Sequence, residues 1–193
     1  MKMPNMLAYT VRSYGSSASS PPSITVGQGP TKALIGPTNP GDDTFWWVFL
    51  DRKNPKTKAK DFVVPGQNNT TVPSEVEQYM ANPNYIFAFA FQFLSVLHLP
   101  QGPFFDYLIS YGAGRQLQTL EQLSSAFGCG AIGRPAYVLT GQTGSRAANT
   151  LPPPSYELGT ATESVQYLTM SLMPMPDGNP PYGICDQLTR TNP

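Results

Sequence analysis

The sequence predicts a mixed α/β (α+β) fold, with β-sheets stacked sandwich-like and two or three helices packed against them. Three stretches carry that expectation. In Asn84–Leu99 (NYIFAFAFQFLSVLHL), Tyr85, Phe87, Phe89, Phe91 and Phe93 fall on alternate residues, with Ile86, Ala88, Ala90 and Gln92 between them. Period two belongs to a strand whose side chains point to opposite faces, because a helix would scatter the rings around its circumference. Phe45–Asp51 (FWWVFLD) is apolar almost throughout and bounded by turn residues, which marks a buried strand. Gln116–Phe127 sets Leu117, Leu120, Leu123 and Phe127 on one stripe, and Gly128 follows where a helix ends.

The aromatic strand is expected to be central and covered on both sides. Its flat face of Ile86, Ala88 and Ala90 suits close docking of the 117–127 helix and of a second helix around Val76–Met80. Its aromatic face suits a second sheet, to which Asn5–Tyr14 or Ser164–Met173 belongs.

In chain order, Asn5–Tyr14 alternates Leu7, Tyr9 and Val11 against polar neighbours and reads as a first strand. A Ser/Pro linker, 16–23, follows. Ser23–Val26 and Lys32–Ile35 are short strands around a Gly-Gln-Gly-Pro turn, and 36–43 (GPTNPGDD) is a dense turn cluster. Asn54–Lys60, with its Asn-Pro and lysines, is expected to reverse the chain so that Asp61–Val64 pairs with the preceding strand. Val72-Pro73-Ser74-Glu75 opens a helix, Glu75 and Glu77 matching its positive end, and Asn82-Pro83-Asn84 stops it. Phe104–Tyr111 has helical spacing and Gly112-Ala113-Gly114 breaks it. Ala136–Thr140 is a strand, 141–155 a loop containing Pro152-Pro153-Pro154, and Ser164–Met173 the last strand. The expected organisation is 1–44 as N-terminal strands and linker, 45–173 as the globular domain, and 174–193 as an extended, Pro/Gly-rich tail.

With 193 residues the chain buries about 70% of its unfolded surface, enough to fold without a metal or disulfide. Charged residues make up 12%, roughly half the usual share, while Pro (21) and Gly (17) are abundant. Net charge is zero, which argues against nucleic-acid binding, since phosphate recognition needs a basic face. The one basic cluster, Arg52, Lys53, Lys56, Lys58 and Lys60, reads as a solvated turn. No apolar segment follows Met1-Lys2-Met3-Pro4, so no signal peptide is expected. The longest apolar run is too short and too alternating for a membrane span.

The order of strand, turn, strand, helix, strand, helix, Gly-Cys-Gly, strand and Gly-x-x-Gly over about 45–144 resembles the ILEI domain of the interleukin-like EMT inducer and PANDER proteins. The pieces that match are FWWVFLDRKNPKTKAKDF, TVPSEVEQYMANPNYIFAFAF, LQTLEQLSSAFGCG and RPAYVLTGQTG. The resemblance implies a small α/β sandwich with helices packed at its edge, and a secreted signalling or carbohydrate-recognition role without catalysis. The chain departs from that family in having no secretion signal and no paired cysteines around the domain, and in inserting 95–111.

Candidate chemistry is sparse. His98, the single histidine, reads as a hydrogen-bonded structural residue at the end of the central strand. His98, Cys129 and Cys185 lack metal-ligand spacing, and a Cys129–His98 nucleophile pair has no third group to orient it. Asp42-Asp43 after Pro-Gly is most simply a turn, and Asp51 closes the FWWVFLD strand. Gly112-Ala113-Gly114-Arg115 follows a helix and lacks the Lys-Ser/Thr ending of a phosphate loop. Trp46 and Trp47 point to opposite faces, so one belongs to the core while the other is a possible ligand contact, for a sugar ring or a partner chain. No cofactor and no metal is expected. The sequence therefore leads to a non-catalytic structural or interaction subunit, such as a surface or decoration component of a virion or similar particle, made in the cytoplasm and assembled with other subunits. The alternative is a carbohydrate-binding module of the ILEI type.

Overall fold

The computed structural model describes residues 5–15, 20–127, 133–144, 155–161, 165–174 and 181–185. Among them ten strands make two antiparallel five-stranded sheets. The first is built from β4 (Thr44–Asp51), β5 (Asn54–Pro65), β6 (Tyr85–Gln92), β7 (Ala136–Gln142) and β8 (Ser155–Thr160), in the order β5-β4-β6-β7-β8. The second is built from β1 (Leu7–Tyr14), β2 (Ser23–Val26), β3 (Ala33–Ile35), β9 (Val165–Pro174) and β10 (Tyr182–Cys185), in the order β10-β9-β1-β2-β3. The two meet at one parallel pair, Tyr14 beside Gln92, where the Phe93 amide donates to the Tyr14 carbonyl at 3.0 Å.

Helices α1 (Ser74–Ala81), α2 (Pro103–Ser110) and α3 (Arg115–Phe127) cover the first sheet on the side away from the second. The molecule has three layers: helices, first sheet, second sheet. The ILEI resemblance implied helices at an edge, whereas here they lie on a face.

The central position of β6 is as expected, but its two faces are the reverse of the expectation. Phe87, Phe89 and Phe91 pack with Val76 and Met80 of α1, Phe104 and Leu108 of α2, and Leu117 and Leu120 of α3. Ile86, Ala88 and Ala90 face Tyr9, Val11, Ile24 and Leu172 of the second sheet. The cause is volume. Three short helices leave wide gaps that rings fill, with Trp47 and Phe89 at 4.6 Å between centroids and Phe45 and Phe104 at 5.1 Å. Between the sheets, the bulk comes from neighbours of β6, notably Trp46 and Tyr9, and small residues on β6 make room for them. The Tyr9 hydroxyl satisfies itself against Thr140 Oγ1 at 2.8 Å.

Residues 54–60 are strand, where a turn was expected. The turn is only Arg52-Lys53, tightened by the Lys53 amide on the Asp51 carboxylate at 2.8 Å, and β5 runs on for 12 residues as a sheet edge. Its lysines are clips as well as solvated charges. Lys56 Nζ donates to the Thr31 carbonyl at 2.8 Å, and Lys58 Nζ to the Gly36 carbonyl at 3.1 Å and Thr38 Oγ1 at 2.7 Å. Edge lysines also discourage strand addition by another chain.

Two further strands were not expected. β8 pairs with β7, and β10 adds Tyr182–Cys185 to β9, so part of the expected extended tail is sheet. The N-terminal strands are likewise integral, β1 pairing with β9 over eight residues. The Gly128 helix end, Cys129 and its possible pairing with Cys185, the prolines 152–154 and most of the tail lie outside the described residues.

Candidate functional site

Trp46 and Trp47 do point to opposite faces, and both are fully buried. Trp47 lies in the core under the helices and Trp46 in the core between the sheets. The possible ligand contact expected of one of them is therefore corrected. β4 sits between β5 and β6, and each of its faces already has a covering layer, so neither indole offers a free ring face. Trp46 Nε1 donates to Asp61 Oδ2 at 3.3 Å, and the same carboxylate accepts from the Thr38 amide at 2.7 Å and hydroxyl at 2.6 Å and pairs with Lys58 at 3.2 Å. Burial alone would push the Asp61 carboxyl up, but those donors outweigh it and hold it below the ordinary aspartate value.

His98 lies in a single 3-10 turn, Val96–His98, just after β6. Its Nδ1 is 2.7 Å from Asp43 Oδ2. Asp43 Oδ1 accepts from the Ser95 amide at 2.8 Å, and the Asp43 carbonyl accepts from the Gly66 amide at 2.7 Å. One aspartate thus ties the approach to β4, the exit of β5 and the exit of β6. Asp43 has φ 57°, a backbone conformation Asp tolerates better than most residues, and a Cβ at Gly66 would sit 2.8 Å from both its carbonyl and its carboxylate. The His98 imidazole, the Ser95 amide and the Gly66 amide are thus gathered on this one aspartate. A contact spanning 55 positions leaves no local trace in the sequence; the turn propensity of Asp43 and a hydrogen-bonded His98 at the end of β6 were readable, but not that the two are partners.

The Gly112–Arg115 stretch does precede a helix that holds an anion, but the anion is internal. Glu157 of β8 accepts from the amides of Gln116 at 2.8 Å and Leu117 at 3.4 Å, and from the Tyr137 hydroxyl at 2.7 Å. The first amides of α3 are therefore satisfied by a carboxylate. Burial pushes the Tyr137 phenol well up, and the neighbouring Glu157 carboxylate adds to the shift. Among the described residues no group of three His, Cys, Asp or Glu is placed to hold a metal ion, and no helix is long and apolar enough to cross a membrane.

The surface feature with most reach is the outer face of the second sheet. Leu34, Thr25, Thr10 and Thr169 stand side by side across β3, β2, β1 and β9, and Ser23, Arg12 and Tyr167 form the neighbouring row. Thr10 and Thr169 share a hydroxyl contact at 3.1 Å, and the Arg12 guanidinium lies 5.0 Å over the Tyr167 ring. Leu34 is 70% exposed and Tyr167 51%. The alternation of Leu7, Tyr9 and Val11 with Ala8, Thr10 and Arg12 was the readable signal; the exposure of Leu34 and Tyr167 on the Thr10 side was not. An open groove of about 460 Å³ along Pro100, Gln101, Gly102, Phe105 and Glu121 gathers no comparable set of groups.

Compared with known proteins, the chain matches no protein-family model and no curated protein.

Proposed function

We propose that this chain is a non-catalytic structural or interaction subunit, a surface or decoration component of a virion or similar particle, and that it docks a second copy of itself through the outer face of its second sheet. The observation that supports this reading is that face. It is nearly free of charge, lined with hydroxyls, and carries two large side chains, Leu34 and Tyr167, more than half exposed. Arg12 is its one charge within these two rows, and its Nε is buried without a hydrogen-bond acceptor among the described residues. The chain's zero net charge removes long-range repulsion between copies.

Light scattering across a concentration series tests this. The wild-type chain should associate, and a Leu34→Lys, Tyr167→Glu double variant should stay monomeric with an unchanged unfolding midpoint. A wild-type chain that remains monomeric at every concentration would overturn it. The alternative reading, glycan binding, rested on Trp46 and Trp47 and loses both to the core.

A further inference from the structure

We propose that β9 pairs edge to edge with β9 of a second copy of this chain, antiparallel and about a two-fold axis at Tyr167. The contact uses the rim of the second sheet rather than the outer face assigned above, and stands independently of that face. Strand β10 covers one side of β9 only from Ser171 to Pro174. From Val165 to Met170 no described strand pairs with β9 on that side, although β1 pairs with it along this whole stretch on the other.

The ladder fixes where the backbone groups of β9 point. The Gly27 amide donates to the Ala8 carbonyl at 2.7 Å, so Ala8, Thr10 and Arg12 direct their groups at β2, and Tyr9, Val11 and Ser13 direct theirs at β9. In β9, Met170, Leu168 and Gln166 therefore serve β1. The N–H and C=O of Val165, Tyr167 and Thr169 point the other way, out of the open rim. Donors and acceptors evenly spaced along an extended chain are matched by another extended backbone. Tyr167 and Thr169 are also exposed as side chains.

The strand's own sequence selects a second copy as the occupant. Residues 165–170 (VQYLTM) carry no charge, no proline and no glycine. Other rims of the molecule are guarded: β5 carries Lys56, Lys58 and Lys60, β3 is only three residues long, and the Tyr182 amide and carbonyl of β10 are taken up by Arg52. Turned against itself about Tyr167, the open segment sets Thr169 opposite Val165 of the second copy and Tyr167 opposite Tyr167. Every outward N–H then meets an outward C=O, and the facing tyrosines form a cross-strand aromatic pair. An axis at Leu168 would drive Val165 of the second copy into the place β10 holds beside Ser171, and an axis at Gln166 would leave Thr169 beyond the end of the facing strand. The second sheets of the two copies become one, running β3-β2-β1-β9 into the same strands in reverse order. A two-fold contact of this kind closes at a pair, so further growth falls to the outer face.

Amide hydrogen exchange of the full chain, followed from dilute to concentrated solution, tests the pairing. Gln166, Leu168 and Met170 should exchange slowly throughout, because β1 holds them. Val165, Tyr167 and Thr169 should exchange fast when dilute and slowly when concentrated. Thr169→Pro removes an outward donor and spares the β1 ladder, and should abolish that concentration dependence. A pair of charge variants checks the register without proline. Val165→Lys with Thr169→Lys sets lysine against lysine and should abolish pairing, whereas Val165→Glu with Thr169→Lys sets opposite charges together and should retain it. Outward amides that exchange fast at every concentration, or slowly at every concentration because the same chain covers them, overturn the proposal, as do charge variants that behave alike. Leu34→Lys, which alters the outer face alone, separates the two contacts. Concentration-dependent protection that survives it, in a chain that stops at a pair, supports the edge contact whether or not the face also associates. Association lost in that variant, with the outward amides fast, leaves the face contact standing and overturns this one.

Discussion

Trp46 and Ala90 stand directly opposite one another across β4 and β6, an indole against a methyl group, in the space between the two sheets. Their neighbours Trp47 and Phe89 form the corresponding pair on the other face, ring against ring at 4.6 Å, under the helices. Two adjacent pairs thus show how the layers differ. The inter-sheet layer alternates large with small, and the helix layer is filled by rings from both partners.

Substitution separates the two layers. Ala90→Leu should destabilise the chain by about 1–3 kcal/mol through overpacking against Trp46. Phe89→Ala should destabilise it by about 3–5 kcal/mol through the cavity left beneath α2 and α3. Urea unfolding measures both. An Ala90→Leu chain as stable as the wild type would mean that free space exists beside Trp46.

Asp61 makes stability sensitive to acid. Its folded carboxyl lies below the ordinary aspartate value, despite burial, because Thr38, Lys58 and Trp46 donate to it. A depressed folded pKa contributes stability that is present above the unfolded value and lost as pH falls through the folded one. The unfolding midpoint should therefore drop below the ordinary aspartate range, and Asp61→Asn should flatten that part of the curve. Identical acid limbs for the two chains would remove Asp61 from this role.

Glu157 joins β8 to α3. Glu157→Ala leaves the Gln116 and Leu117 amides and the Tyr137 hydroxyl without their acceptor, and should destabilise the chain by about 2–3 kcal/mol. Glu157→Gln retains an acceptor oxygen and should destabilise it less. Thermal unfolding at neutral pH distinguishes them, and equal midpoints for all three chains would mean that solvent serves the α3 amides as well as the carboxylate does.

Expectations resting on a strong period held, as did those resting on clear boundaries, such as β4 between its turns and α1 between Pro73 and Asn82. β6 and α3 repeat their apolar residues often enough that only one secondary structure fits. Which face of β6 met which layer was not legible, because face assignment depends on volumes supplied by Trp46, Tyr9 and three helices that the strand does not itself encode. The lysines at 56 and 58 read as a turn because their partners, Thr31, Gly36 and Thr38, are 20 to 25 positions away. β10 is four residues long with a glycine inside it, and it exists by pairing with β9 and by the Arg52 contacts to Tyr182, none of them local. At the surface, the buried state of both tryptophans follows from β4 being an inner strand covered on each side, a fact of topology that residue type does not carry.

The single junction at Tyr14 and Gln92 has a consequence for how the molecule comes into being. The first sheet and its helices use one continuous span, 44–160, whereas the second sheet is assembled from strands before residue 36 and after residue 164. During synthesis the central span can collapse on its own, but β1 waits for β9 until residues 165–174 have been made. Through that interval Trp46, Val48, Ile86 and Ala88 form a bare apolar plane. Pulse-labelled hydrogen exchange should find β4 and β6 protected before β1 and β9; the reverse order would mean that the outer sheet templates the inner one. The molecule is in effect a finished half that is later roofed, and its most vulnerable moment comes just before the roof closes.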